Sequence, residues 1–184
     1  ETEWSSALKG IDVVVHLAAR AHIMKDNAPD PLEAFREVNT RGTERLACMA
    51  VKACVRRFIY VSSIGVNGEQ STEYGFTEKD RAAPVRPYAV SKWEAEKILT
   101  DIGVATGMEI VILRPPLVYG SGAKGNILKL MNYIYHGCPL PLADVKNKRS
   151  FIGIGNLVDA IMLSIDRPEA AGELFLLSDG QDIS

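Results

Sequence analysis

No run of apolar residues in this 184-residue chain approaches the roughly 20 that a membrane-spanning helix requires. The first residues do not resemble a signal peptide, so a membrane role is not expected and the expected compartment is the cytoplasm. Basic clusters interleaved with aromatics are missing too, and the net charge is only −2, which argues against a nucleic-acid partner. Cysteine is scarce. Cys48, Cys54 and Cys138 are odd in number and irregularly spaced, which suits reduced core thiols better than a disulfide or zinc framework. His16, His22 and His136 form no metal-ligand pattern either, and no metal site is expected. The chain opens on Glu1-Thr-Glu-Trp4 without methionine and soon enters a strand-like pattern. It stops at Ser184 just after another such segment, so a piece of a longer protein is expected.

What is present is an ordinary globular composition, 47% hydrophobic and 24% charged, enough for a substantial core. Three short apolar runs rich in β-branched residues stand out at residues 11–17, 57–61 and 109–113. Runs of this kind suit strands buried on both faces of a parallel sheet. Helical stretches at about 31–53 and from Tyr88 to about Thr106 separate them, giving strand–helix–strand–helix–strand and a layered α/β fold. Beyond Arg114-Pro-Pro116 the character changes. A glycine-containing loop, a helix and a turn fill 120–141, followed by a short strand at 149–152, a helix from 156 to about 166 and a last strand at 174–177. Residues 67–86 form a long non-periodic stretch of the sort that covers a site.

The pentad Tyr88-Ala-Val-Ser-Lys92 carries the chemistry. Residues four apart share a helix face, so a phenol and an ammonium stand one turn apart. Positions 88, 92, 95, 99 and 102 continue as one seam, which sets Lys92 in line with an interior stripe. There it must extend its charge out of the stripe or have a task. Beside a tyrosine that task is to lower the phenol from its usual pKa of about 10. Alone, the pentad also fits a surface lysine after a core tyrosine. Ligands of open parallel sheets bind beyond the strands' carboxyl ends. Those ends here are His16-Leu-Ala-Ala19, Ser62-Ser63 and Arg114-Pro-Pro116. Ser63 precedes Tyr88 by 25 residues, and the loop between can bring hydroxyl, phenol and ammonium together. Such a trio can polarise a sugar hydroxyl while hydride leaves the adjacent carbon.

Six segments in order resemble the extended short-chain dehydrogenase/reductases of the NAD-dependent epimerase/dehydratase family. They are Val15-His-Leu-Ala-Ala19, Asn39-Thr-Arg-Gly-Thr43, Phe58-Ile-Tyr-Val-Ser-Ser63, the Tyr88–Lys92 pentad, Leu113-Arg-Pro-Pro-Leu-Val-Tyr-Gly120, and Arg149-Ser-Phe-Ile152 leading to Asn156-Leu-Val-Asp159. The resemblance is greatest to nucleotide-sugar 4-epimerases and 4-keto-sugar reductases. It implies a Rossmann-like parallel sheet lacking its first βαβ unit, with part of a small C-terminal substrate-binding region. Residues 1–118 would be a partial NAD-binding domain, 119–148 a substrate-binding segment, 149–168 a return to the Rossmann domain, and 169–184 the start of the C-terminal region.

By the same resemblance Tyr88 is the acid/base at the sugar C4 oxygen and Ser63 hydrogen-bonds that oxygen. Lys92 holds the nicotinamide ribose and depresses the phenol's pKa. Leu17, Ala18 and Ala19 line the dinucleotide, Asn39 braces that region, and Pro115 lies near the nicotinamide, with Tyr119 beyond the same strand. Asn126 and Arg149 match positions that meet the nucleotide diphosphate, although a helix cap and a surface ion pair are the plainer roles for them. The implied cofactor is NAD, with NADP open because its determinant lies on a strand not in this chain. The implied partners are a nucleotide-sugar substrate and a second copy in a homodimer. Gly120-Ser-Gly-Ala-Lys-Gly125 fits the dinucleotide fingerprint G-x-G-x-x-G, but Arg114-Pro-Pro116 breaks the strand before it, and a substrate-side loop is expected instead. Ser63 is followed by Ile64-Gly65 rather than the Asp-Glu of a dehydratase. Epimerase and reductase stay open, as does a non-catalytic dinucleotide-binding module or an inactive fragment.

Overall fold

In the computed structural model, residues 2–21, 28–122, 126–139 and 147–182 are described, the side chains of 126–130 excepted. Four parallel strands form the main sheet in the order β1 (Val13–His16), β2 (Arg57–Val61), β3 (Glu109–Arg114) and β6 (Leu174–Leu176). Val13 pairs with Arg57, Arg57 with Glu109, and Ile112 with Leu174. A second, two-stranded parallel sheet joins β4 (Leu117–Tyr119) to β5 (Phe151–Gly153). The fold is the α/β parallel sheet expected from the sequence.

Period-two alternation divides the strands between two cores. Phe58, Tyr60, Ile110 and Ile112 face one side, with Leu46, Ala47, Ala50, Ala95 and Leu99. Ile59, Val111 and Leu113 face the other with Ala170, against which Ile161 and Ile165 pack. Parallel neighbours need crossover connections, and helices supply them.

Between β1 and β2 the chain runs through α1 (Pro31–Phe35), a π-helical segment (Arg36–Arg41) and α2 (Gly42–Lys52). Asp30 starts this run by accepting a hydrogen bond from the Glu33 amide at 3.1 Å, and Pro31 suits its first turn. Between β2 and β3 lies α3 (Pro87–Thr106), which stops where Gly107 adopts φ +77°. α4 (Asn126–Tyr135) follows β4, and α5 (Ile154–Asp166) follows β5.

Several expectations need correction. β1 is shorter than residues 11–17, and its residues are only half-buried, because it borders the described sheet. The last strand expected at 174–177 is β6, Leu174–Leu176, one residue shorter, and it lies in the main sheet beside β3. The three cysteines are free but exposed, not core thiols. Cys54 lies past the end of α2 with φ 60°, which turns it out of the helix face. The loop 67–86 is pinned to the rest of the chain by several hydrogen bonds. The Ala83 amide donates to the Val66 carbonyl at 3.0 Å, and Glu78 accepts from the Leu176 amide at 3.0 Å.

Candidate active site

The carboxyl ends of β1, β2 and β3 lie side by side, and α3 packs over them. Its inward face is not purely apolar: Ala89, Ser91, Lys92, Ala95, Glu96 and Leu99 are all buried. Lys92 is 1% exposed. Its ammonium donates to the Val61 carbonyl at 2.7 Å and stands 4.3 Å from the centre of the Tyr60 ring. Burial pulls its pKa down to about 8, and the negative charge of Glu96 one turn later opposes that fall.

Tyr88 is half-buried, its ring edge-on to Phe35 at 6.0 Å. Among the described residues its hydroxyl has no hydrogen-bond partner. Burial pushes the phenol above its ordinary value. The sequence led to the opposite expectation, a phenol lowered by Lys92. The ammonium is instead engaged by the Val61 carbonyl and the Tyr60 ring, and desolvation dominates.

Just past β2 the two serines separate. Ser62 is 3% exposed and its hydroxyl finds no partner among the described residues. Ser63 caps a short 3₁₀ turn (Ile64–Val66) by accepting from the Gly65 amide at 3.2 Å. The following amide, Ile64, donates to the Pro115 carbonyl at 3.0 Å, so the Ser63 turn and the buried Pro115 are fixed together. A Cβ built on Gly65 would lie 3.5 Å from both Ser63 Oγ and Ala89 Cβ, which sets this turn against the first turn of α3.

The π-helical segment explains Asn39. Its extra backbone residue lets Asn39 and Thr40, adjacent in sequence, both point inward, at 1% and 7% exposure. The Asn39 amide accepts from the Arg20 N–H at 2.7 Å and donates to the Arg20 carbonyl at 3.1 Å and to Ser91 Oγ at 3.0 Å. Ser91 in turn donates to the Tyr88 carbonyl at 2.8 Å. Asn39 thus ties the loop after β1 to the turn of α3 between Tyr88 and Lys92. Its amide is fully engaged by protein, so it supports the site rather than lining it. In that loop Leu17 and Ala18 are exposed and Ala19 is half-buried.

His16 was passed over as a site residue. Its Nε2 lies 2.9 Å from Thr43 Oγ1, whose own proton goes to the Asn39 carbonyl at 2.7 Å, so the imidazole is the donor. Burial first, and the nearby Lys92 charge second, hold its pKa down to about 4. Also missed was a buried ion pair between Glu96 and Arg114. Arg114 donates to both Glu96 oxygens, at 3.0 and 2.5 Å, and to Asn67 Oδ1 at 2.8 Å. The available signals were an acid one turn after Lys92 and a charge ending an apolar strand.

The remaining site candidates lie apart from this group. Arg149 is exposed ahead of β5, and its side chain makes no ion pair or hydrogen bond with the described residues. Tyr119 donates to Asp179 at 2.7 Å. Asn126 heads α4, but its side chain lies outside the described part, as do residues 123–125 of the glycine motif. The strand break expected before that motif is present: β3 ends at Arg114, and the short β4 that follows the two prolines belongs to the small sheet. Gly120 has a packing reason: its φ is +134° and a Cβ there would meet Ile154 Cγ2 at 2.6 Å.

An ammonium with a single hydrogen bond and a phenol without a partner among the described residues lie one turn apart on α3, and the turn that Ser63 caps packs against the first turn of that helix. These groups suit a ligand rich in hydroxyls, as the nicotinamide ribose of a dinucleotide and a sugar both are. Among the described residues there is no glycine-rich turn between a main-sheet strand and a helix to take a pyrophosphate.

The sequence model of the NAD dependent epimerase/dehydratase family matches residues 1–177. A UDP-glucose 4-epimerase of Vibrio cholerae is 49% identical over all of this chain, which covers 56% of that protein. Two solved structures are similar across nearly the whole chain. A UDP-glucuronic acid 4-epimerase from Bacillus cereus in complex with NAD is 25% identical with a TM-score of 0.85, over 99% of this chain and 59% of that one. A dTDP-glucose 4,6-dehydratase from Streptomyces venezuelae with NAD bound is 28% identical with a TM-score of 0.83, over 97% and 55%. The chain therefore spans about half the length of the relatives it matches.

Proposed function

Because the chain belongs to the NAD dependent epimerase/dehydratase family, we propose that the whole protein is an NAD-dependent 4-epimerase of a UDP-hexose. The observation that carries this reading is the pairing of Tyr88, its hydroxyl unpaired, with the buried Lys92 one turn later, both beside Ser63 at the strand ends. The 49% identity to a UDP-glucose 4-epimerase supports UDP-glucose as the first substrate to test.

In this reading Tyr88 exchanges a proton with the sugar's C4 oxygen and Ser63 hydrogen-bonds the same oxygen. NAD, when bound, supplies the acceptor and donor of the hydride at C4. Lys92 holds the nicotinamide ribose, Leu17, Ala18, Ala19 and Pro115 form the wall along the dinucleotide, and Asn39 keeps that wall in place. Arg149 and Asn126 take the nucleotide diphosphate. Burial leaves the Tyr88 phenol protonated at neutral pH, so its acid form is the resting one. Its base form depends on the positive charge at Lys92. With the cofactor bound, the overall change would be inversion of configuration at C4.

The test is to incubate the full-length protein with UDP-glucose and no added cofactor. The expected result is the C4 epimer with no net change in NADH. No turnover until a 4-keto sugar and reduced cofactor are supplied would identify a reductase instead. Tyr88→Phe should lower kcat by about 10²–10⁴-fold without loss of folding, since the hydroxyl has no partner among the described residues. Turnover within a few-fold of wild type would refute the acid/base assignment.

A further inference from the structure

The ion pair between Glu96 and Arg114 is buried at 4% and 5% exposure. A salt bridge so far from water adds little net stability, since desolvation cancels most of the attraction. Its placement is more informative. Glu96 lies on α3 one turn past Lys92, on the same face, and two turns past Tyr88. Arg114 ends β3 immediately before Pro115. Asn67, which accepts the third guanidinium hydrogen bond at 2.8 Å, directly follows the turn that Ser63 caps, and its own amide donates to the Thr77 carbonyl at 3.2 Å. The three side chains join the helix bearing Tyr88 and Lys92, the strand end bearing Pro115, and the turn bearing Ser63.

Both Glu96 oxygens are gripped by one guanidinium, so the carboxylate is fixed and cannot swing to bond Lys92 directly. We infer that Glu96, held by Arg114, is the positioning residue that keeps the Lys92 ammonium charged and seated on the Val61 carbonyl. The surroundings of Lys92 leave this task to Glu96. Around Lys92 stand Tyr88 and Glu96 on its own helix, the neutral His16 from β1, and the Tyr60 ring and Val61 carbonyl from β2. Among the described residues Glu96 is the anion whose charge acts on Lys92. The burial that draws Lys92 down to about 8 is opposed by this charge.

The inference rests on Lys92 being the ammonium of the acid/base couple, and its test does not depend on turnover. In full-length protein with ¹³Cε-labelled lysine, the Lys92 resonance, assigned with Lys92→Met, should titrate with a midpoint near 8. Glu96→Gln keeps the shape and removes the charge, and should lower the midpoint by about one pH unit. Glu96→Asp keeps the charge and should hold it near the wild-type value. Glu96→Gln leaves Arg114 buried without a counter-ion and can fail to fold. A second variant, Arg114→Gln, keeps the Glu96 charge and removes the cation that opposes it, and should raise the midpoint above the wild-type value. The alkaline limb of kcat/KM should move with the midpoint in each variant. An unmoved midpoint in both Glu96→Gln and Arg114→Gln, or a drop in Glu96→Asp as large as in Glu96→Gln, would overturn the inference. Tyr88→Phe kinetics judge the acid/base reading separately.

Discussion

Replacing Lys92 by methionine should strengthen the fold while it removes activity. The ammonium is almost wholly buried, and its pKa lies at about 8 instead of 10.5. That gap corresponds to about 3 kcal/mol by which the folded environment disfavours the charged form at neutral pH. Methionine has a similar length and no charge. Its cost is the 2.7 Å hydrogen bond to the Val61 carbonyl, worth about 1–2 kcal/mol net. Glu96 keeps Arg114 and is not orphaned. The variant should therefore be more stable by about 1–2 kcal/mol at pH 7, read as a higher urea midpoint at unchanged slope. The pH dependence has a definite sign. The folded chain gives up the Lys92 proton near pH 8, whereas the unfolded chain holds it to 10.5. The unfolded state binds more protons in that window, so wild-type stability rises with pH there. The advantage of Lys92→Met should be full below pH 8 and shrink between 8 and 10.5. A variant that unfolds more easily than wild type at pH 7, or a gap constant across that window, would refute the reasoning.

His16 acts with the same sign at lower pH. Folded, it stays neutral until about pH 4, while the unfolded imidazole protonates at 6.5. Stability should fall by about 3 kcal/mol as pH drops through that interval. His16→Gln, which can still donate to Thr43, should lack that part of the loss in denaturant titrations at pH 7 and 4.5. Arg57 is 1% exposed and donates to the carbonyls of Ser164, Ile165 and Arg167 at the end of α5, at 2.7, 3.0 and 2.8 Å. Arg57→Met should cost about 3 kcal/mol in equilibrium unfolding, because those carbonyls and Glu109 lose a charged donor. The Lys92 titration midpoint should not change.

The parts legible in the sequence were those where one period dominates. Residues 57–61 and 109–113 are nearly continuous apolar runs, and each forms a strand of the expected parallel sheet. The Tyr88 helix showed both its proline start and its seam. What stayed hidden depended on contacts between distant segments. The π-helical segment inserts one residue and puts Asn39, Thr40 and Thr43 on one buried face, a spacing no regular helix period predicts. β4 has three residues directly after two prolines, too short to register as a run. Leu174–Leu176 read as a strand, but only its pairing with Ile112–Arg114 shows that it belongs to the main sheet. Glu96 and Arg114 each look like exposed surface charge until α3 is laid on β3, where each becomes the other's partner.

Four side chains that are charged at neutral pH in the unfolded chain are nearly inaccessible among the described residues: Arg57, Lys92, Glu96 and Arg114. Architecture accounts for Arg57, whose guanidinium closes the open carbonyls of a helix end and meets Glu109 at 2.7 Å. Mutual pairing accounts for Glu96 and Arg114. Lys92 differs from all three. It has one carbonyl and one aromatic face, and among the described residues no carboxylate lies within ion-pair distance of it. Folding alone would favour an apolar residue at this seam position, as the neighbouring Ala95 and Leu99 show. The charge is thus kept against the preference of the core, one turn from a phenol that burial holds in its protonated form. Removing a proton from that phenol is the step that a positive charge at this position makes easier. A stabilised but inactive Lys92→Met protein would place the cost of the ammonium in the chemistry and not in the fold.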